Sequence, residues 1–141
     1  MRINLEALLL RHIFYYYLIS FKYSNHSMLA KYCPRCNKPF ECQMANIAEC
    51  QCAKVKVSTS LKKWLATHFD NCLCSNCLIQ LAEIDRIAQI IPFPKENKDI
   101  VLKYHYYIGA GKYVFTELYH YQKNHCCGNK CRHCVYGTQP L

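Results

Sequence analysis

Cys33-Pro34-Arg35-Cys36-Asn37-Lys38-Pro39-Phe40-Glu41-Cys42 is the stretch whose reading decides the fold of this chain. Two cysteines flanking a Pro-Arg pair make a tight turn, and the amides that follow the first sulfur point at the sulfurs, as a metal-binding turn requires. The complement lies downstream in Cys72-Leu73-Cys74-Ser75-Asn76-Cys77. Cys74 and Cys77 repeat the spacing at the start of an expected helix, whose N-terminal dipole favours thiolate charge. Cys33, Cys36, Cys74 and Cys77 are therefore expected to form a four-thiolate site of the zinc-ribbon kind. Cys42, Cys50, Cys52 and Cys72 make a candidate second set, with other divisions of these eight cysteines open.

Twelve cysteines in 141 residues mark the chain as either a disulfide scaffold or a set of metal sites. Spacing and compartment separate the two. The N-terminal apolar stretch is interrupted by Glu6, Arg11 and His12 and lacks a small-residue cleavage site, so export is not expected. Its longest clean run, Ile13 to Phe21, falls well short of the roughly 20 residues a membrane span needs. In a reducing cytoplasm thiols stay free unless a metal takes them, which favours zinc, two to three ions per chain. Residues 1–28 are expected to be poorly defined, with Met28 read as the start of translation. An amphipathic helix, or a use for Tyr15, Tyr16 and Tyr17, is the alternative.

The formal charge of +9 suggests a polyanion as partner, but it counts every cysteine as neutral. Twelve thiolates on three divalent ions carry a net six negative charges, which takes +9 to +3. A mild positive balance is weak support for nucleic-acid binding.

Helical periodicity places Leu61, Trp64, Leu65 and Phe69 on one face of a helix capped by Ser60. A second helix, capped by Ser75, carries Cys77, Leu81, Ile84, Ala88 and Ile91 up to Pro92. Trp64 is expected to pack over the metal sites, and His68 to lie at the surface. Residues 29–91 thus form an eight-cysteine module, and the proline-bearing, charged stretch 92–99 a linker.

The order CPxC, a lone cysteine, CxC and CxCxxC resembles the cysteine-rich CWC family of small bacterial proteins. All eight of its cysteines are present, and Gln51 replaces the tryptophan that gives the family its name. The resemblance implies metal binding and no assigned activity.

Residues 100–141 are expected to be a second, independent module. Ile100 to Ile108 favours a strand, Gly109-Ala110-Gly111-Lys112 a turn, and Tyr113-Val114-Phe115 the returning strand. Tyr104 and Tyr106 would face one side, His105 and Tyr107 the other, all explained by packing. Thr116 caps a short helix, Glu117 to Lys123, leading into Cys126, Cys127, Cys131 and Cys134. Such a hairpin is marginal alone, and metal would stabilise it.

The stretch VFTELYHYQKNHCCGNKCRHCVYG resembles the signature VFTExYHxxRGYCCGxxCRHCPYG of a small family known only as a domain of unknown function. It departs at Lys123, Asn124, His125 and Val135. Three readings of this site compete. One is zinc on three or four thiolates, with His120, His125 or His133 completing the site. The second is an iron–sulfur cluster on Cys126–Cys134, since Cys127, Cys131 and Cys134 have a cluster-like spacing. The third is a reactive thiol activated by Arg132 and His133.

The fold class expected is therefore small α+β and metal-stabilised, with a zinc-ribbon-like module followed by a β-hairpin and short-helix metal module. No acid–base pair, phosphate loop or nucleophile–base constellation is present in the pattern. A cytoplasmic, non-enzymatic protein with structural metals and a protein partner is the leading expectation. Nucleic-acid binding and iron–sulfur or thiol redox chemistry are the alternatives.

Overall fold

The computed structural model describes residues 30–43 and 46–137. Tyr15, Tyr16, Tyr17 and Met28 lie outside the described residues, as do residues 138–141. Among the described residues the fold is small and of α+β class, with two short hairpins and three helices.

Strands β1 (Ala30–Tyr32) and β2 (Pro39–Glu41) pair antiparallel, with Tyr32 opposite Pro39. The Cys33–Cys36 turn closes this hairpin. Cys33 N–H donates to the Lys38 carbonyl at 2.9 Å, and Asn37 N–H to the Cys33 carbonyl at 2.8 Å. Asn37 takes a φ of 55°, a left-handed conformation that asparagine tolerates better than most residues.

A single 3-10 turn, Gln51–Lys54, leads to helix α1 (Thr59–His68). Its cap is Ser58, whose Oγ accepts the Leu61 N–H at 3.0 Å, and not Ser60 as the sequence suggested. Ser60 is engaged elsewhere: its hydroxyl donates to the buried Asp85 carboxylate. Helix α2 (Ser75–Ala88) begins one residue after its N-cap, Cys74, so Ser75 is the first helical residue and not the cap. It ends short of Ile91, because the residue before a proline disfavours helical backbone. Ile91 leaves the helix, and its carbonyl accepts from Gln122 Nε2 at 2.6 Å.

In the expected linker, Asn97–Asp99 form a 3-10 turn. Strands β3 (Tyr106–Gly109) and β4 (Lys112–Phe115) follow, joined at Ala110 and Gly111, both of positive φ. That pair of left-handed residues is the tight hairpin turn whose twist suits antiparallel strands. The expected strand from Ile100 is shortened, because His105 folds the preceding residues into a turn. The His105 ring is fully buried, its Nδ1 accepts the Val101 N–H at 3.0 Å, and the His105 backbone N–H donates to the Val101 carbonyl at 2.9 Å. Tyr104 accordingly lies outside the strand and is exposed, whereas Tyr106 packs against Tyr113, 5.0 Å between rings. Helix α3 (Glu117–Lys123) starts at Thr116, whose Oγ1 accepts the Tyr119 N–H.

The two halves of the chain share one core. Leu61, Trp64, Leu73, Leu81 and Ile84 from the first half pack with Leu118, Tyr121, Val135 and Tyr136 from the second. Trp64 has its ring 4.7 Å from Tyr121 and 5.5 Å from Tyr136. Such sharing suits their size, since very small units rarely bury enough apolar surface alone. Full burial of Leu61 and Leu81 is worth about 2–3 kcal/mol each. Trp64 is a core residue that stacks on His68 at 4.4 Å. His68 is half-buried and not a free surface group. Its Nδ1 donates to the Trp64 carbonyl at 2.7 Å, and Nε2 faces the Asn124 carbonyl at 3.3 Å, across the junction of the halves.

Two buried ionisable residues pin the same junction. Asp85 accepts from the Tyr121 hydroxyl at 2.8 Å and from Ser58 Oγ at 2.6 Å. Arg35, inside the Cys33–Cys36 turn, donates to the Val135 carbonyl at 3.1 Å, to Gln80 Oε1 at 2.7 Å and to Glu117 Oε1 at 2.7 Å.

Candidate metal centres

The hairpin turn and the start of α2 bring Cys33, Cys36, Cys74 and Cys77 together, with all four sulfurs within 4.8 Å of one another. Cys36 and Cys74 sulfurs are 3.7 Å apart, and the Cys74 N–H donates to Cys33 Sγ at 3.4 Å. Tetrahedral zinc with Zn–S bonds near 2.3 Å needs sulfurs about 3.5 to 4 Å apart, so the donor set fits one such ion. This group can hold a metal ion.

Its electrostatics agree. Burial pushes the Cys33 thiol up, but the amides of Cys74, Cys36 and Arg35 outweigh it and bring the pKa down to about 7. Cys77 is driven upward, by burial first and then by the Cys74 and Cys36 sulfurs beside it. One sulfur is ready to ionise and its neighbours oppose a second ionisation, a conflict that a bound cation removes.

Cys42, Cys50, Cys52 and Cys72 also gather. Cys50 and Cys52 sulfurs are 3.1 Å apart. Cys42 is pushed up by burial and then by Cys72 and Cys50, so the lone cysteine and the first cysteine of the CxCxxC run face the CxC pair. Cys52 is raised to about 11, chiefly by its hydrogen bond to Cys50.

The loop after α3 forms the third set. Cys127 and Cys131 sulfurs are 3.3 Å apart, and Cys126 Sγ accepts the Gly128 N–H at 3.5 Å. Cys134 is raised by burial first, with Cys126 and Cys127 close enough to add to it. Around these sulfurs lies a cavity of about 240 Å³, whose lining includes all four cysteines with His120, Tyr136 and Gly137. This group too can hold metal.

The three histidines considered for this centre are placed very differently. His125 bonds the Lys123 carbonyl, and His133 bonds the Tyr107 hydroxyl at 2.8 Å. His120 lines the cavity. Arg132 also turns to the Tyr107 hydroxyl, at 3.4 Å. The expected activation of a thiol by Arg132 and His133 is thus not what the geometry provides: the falling pKa of Cys127 comes first from the Asn129 amide and then from Cys131.

Two residues that organise the centres were given no role by the motifs that contain them. Arg35 reaches from inside the first centre to the residue after Cys134 and to the first turn of α3. Gly137, with φ of 92°, lies against the same turn: a Cβ there would stand 2.7 Å from the Pro34 carbonyl oxygen and 2.8 Å from Arg35 Cα. A glycine is required at that approach. The closeness of the two cysteine loops, and nothing in either motif alone, creates both roles.

No helix among the described residues is long and apolar enough to cross a membrane. No curated protein and no solved structure matches the chain. Two family models match adjacent stretches of the chain: that of the cysteine-rich CWC family at residues 33–79, followed by that of a family of unknown function (DUF5522) at residues 95–140.

Proposed function

We propose that this is a cytoplasmic zinc protein whose ions hold together a small scaffold for a protein partner, with a first centre of zinc-ribbon type on Cys33, Cys36, Cys74 and Cys77. The observation that carries this is the meeting of four sulfurs within 4.8 Å from two CxxC pairs, one in a hairpin turn and one at a helix start. Zinc suits such a set because it takes four thiolates tetrahedrally and has no redox chemistry of its own. The ions here would stabilise, since a core this small gains folding free energy from metal binding. Cobalt reconstitution tests the reading. Thiolate-to-cobalt charge-transfer bands should appear, and Cys36→Ser should remove one equivalent's share of them; a chain that takes up no cobalt contradicts it.

A second reading applies to Cys126, Cys127, Cys131 and Cys134 alone. The cavity these sulfurs line, about 240 Å³, has room for an iron–sulfur cluster, which is held by cysteine thiolates. That reading requires a brown anaerobic preparation with visible absorbance. Colourless protein with zinc at this centre excludes it.

A further inference from the structure

Between Pro92 and Glu117 a single residue is buried, and it is a histidine. His105 is fully covered, whereas Val101, Leu102 and Tyr104 beside it are exposed. The shared core takes nothing from this stretch: its members and the apolar groups packed on them include Ile91 and Leu118 but no residue between the two. Phe93 and Phe115 touch Tyr119, yet neither is buried. An apolar anchor would hold such a segment at any pH; an imidazole does not.

The contacts of the ring fix its protonation state. Nδ1 accepts the Val101 N–H, so the single ring proton sits on Nε2. That Nε2 has no hydrogen-bond partner among the described residues, and neither has the buried Oε1 of Gln122, a side chain of α3 beside it. Gln122 Nε2 meanwhile holds the Ile91 carbonyl, so both ends of the stretch are fastened to α3 through this pair. The groups facing the ring are Gln122 and Tyr119 of α3, the Pro92 carbonyl and the Val101 backbone. Tyr119, 6.4 Å away ring to ring, is the titratable one, and no carboxylate or cysteine is among them. A second proton has to go on Nδ1, where it meets the Val101 N–H head-on, and the charge it brings finds no counter-ion. Burial accordingly holds the His105 pKa below the ordinary value, and Gln122 and the Pro92 carbonyl offset this only in part.

We propose that His105 is an acid-released latch: protonation of its ring breaks the bond to Val101, expels the ring and frees residues 92–117, with the β3–β4 hairpin, from α3. The sign follows from linkage. The folded ring stays neutral, and the released ring takes up a proton below about pH 6.5, so the latch is closed at neutral pH and loosens as pH falls. Release is local, because the segment has few buried apolar contacts to lose and the core lies elsewhere. Its consequence is acid-dependent exposure of the side of α3 that carries Tyr119 and Gln122.

Hydrogen exchange of the metal-loaded full chain, followed amide by amide by NMR between about pH 7.5 and 5.5, tests this. Protection of the Val101 and Thr116 amides should fall about tenfold for each pH unit below about 6.5, one proton being taken up on release, while the amides of α1 and α2 keep theirs. In His105→Gln, whose side-chain carbonyl can accept the Val101 N–H without titrating, that fall should vanish, and the same slope in this variant overturns the proposal. The unsubstituted chain gives a second readout: its His105 ring should show the Nε2–H tautomer and take up a proton only as Val101 protection falls. A ring that titrates near pH 6.5 with Val101 protection unchanged overturns the proposal. So does a fall in protection across all helices at once, which marks loss of metal.

Discussion

Arg35 Nη2 lies 2.7 Å from Glu117 Oε1, which ties the turn of the first cysteine pair to the first turn of the last helix. The arginine is 6 % exposed and the glutamate 36 %, so the pair is only partly screened by water. Because the same guanidinium also holds Gln80 and the Val135 carbonyl, its loss leaves three acceptors without their donor.

Arg35→Met should therefore destabilise the metal-loaded protein by about 3 kcal/mol, the range for breaking a buried ion pair from one side. Glu117→Gln should cost less, about 1 kcal/mol, because that end reaches solvent. Denaturant midpoints of the two variants and of the double variant measure the coupling. Additive effects would contradict a direct interaction.

Tyr121 donates to Asp85 in the core, and burial first, then the Asp85 carboxylate, raises its pKa well above the ordinary value. The folded form keeps a proton that the unfolded chain gives up above about pH 10. The unfolded state then binds fewer protons, so stability is intact below that pH and falls as pH rises above it. Tyr121→Phe should lose about 1.5–3 kcal/mol at neutral pH, the contribution of a hydrogen bond to a charged acceptor. The variant should also lose stability less steeply above pH 10. Equal alkaline slopes for both proteins would contradict the role given to Tyr121.

The fold was partly legible in the sequence. Cysteine pairs, the Trp64 helix face, the Thr116 cap and the turn at Ala110 and Gly111 are local signals, each carried by a few neighbouring residues. Ser58 and Ser60 were not separable, because both can cap; the buried Asp85, distant in sequence, accepts from both hydroxyls, and Ser58 Oγ in addition accepts the Leu61 N–H. The turn made by His105 was hidden for a similar reason, since a histidine among β-formers gives no sign that its ring will accept an amide. For the candidate site, the meeting of Cys33, Cys36, Cys74 and Cys77 was readable from spacing. The roles of Arg35 and Gly137 were not, because each depends on which loop lies opposite.

Gly137→Ala tests that facing of loops. The added methyl meets backbone atoms of Pro34 and Arg35, which cannot move without disturbing the first cysteine pair, and the φ of 92° is itself unfavourable to alanine. A loss of about 2–3 kcal/mol is expected. The cobalt spectrum of the first centre should shift although the substitution lies in the other family segment. An unchanged spectrum would contradict the contact.

Trp64 is the single tryptophan, and its neighbours Tyr121 and Tyr136 belong to the second segment. Chelation of metal from the full chain should move its emission to the red as the shared core opens. A chain ending at residue 92 should show the same red-shifted emission even when metal is present. Blue, native-like emission from the shortened chain would mean that the first segment folds by itself.

Metal content tests the account most directly. Elemental analysis of anaerobically purified full chain, read with thiol titration and the optical spectrum, should give about three zinc ions per chain in a colourless protein, one for each cysteine set. A metal-free chain that is nevertheless folded, with its cysteines paired as disulfides, would contradict it.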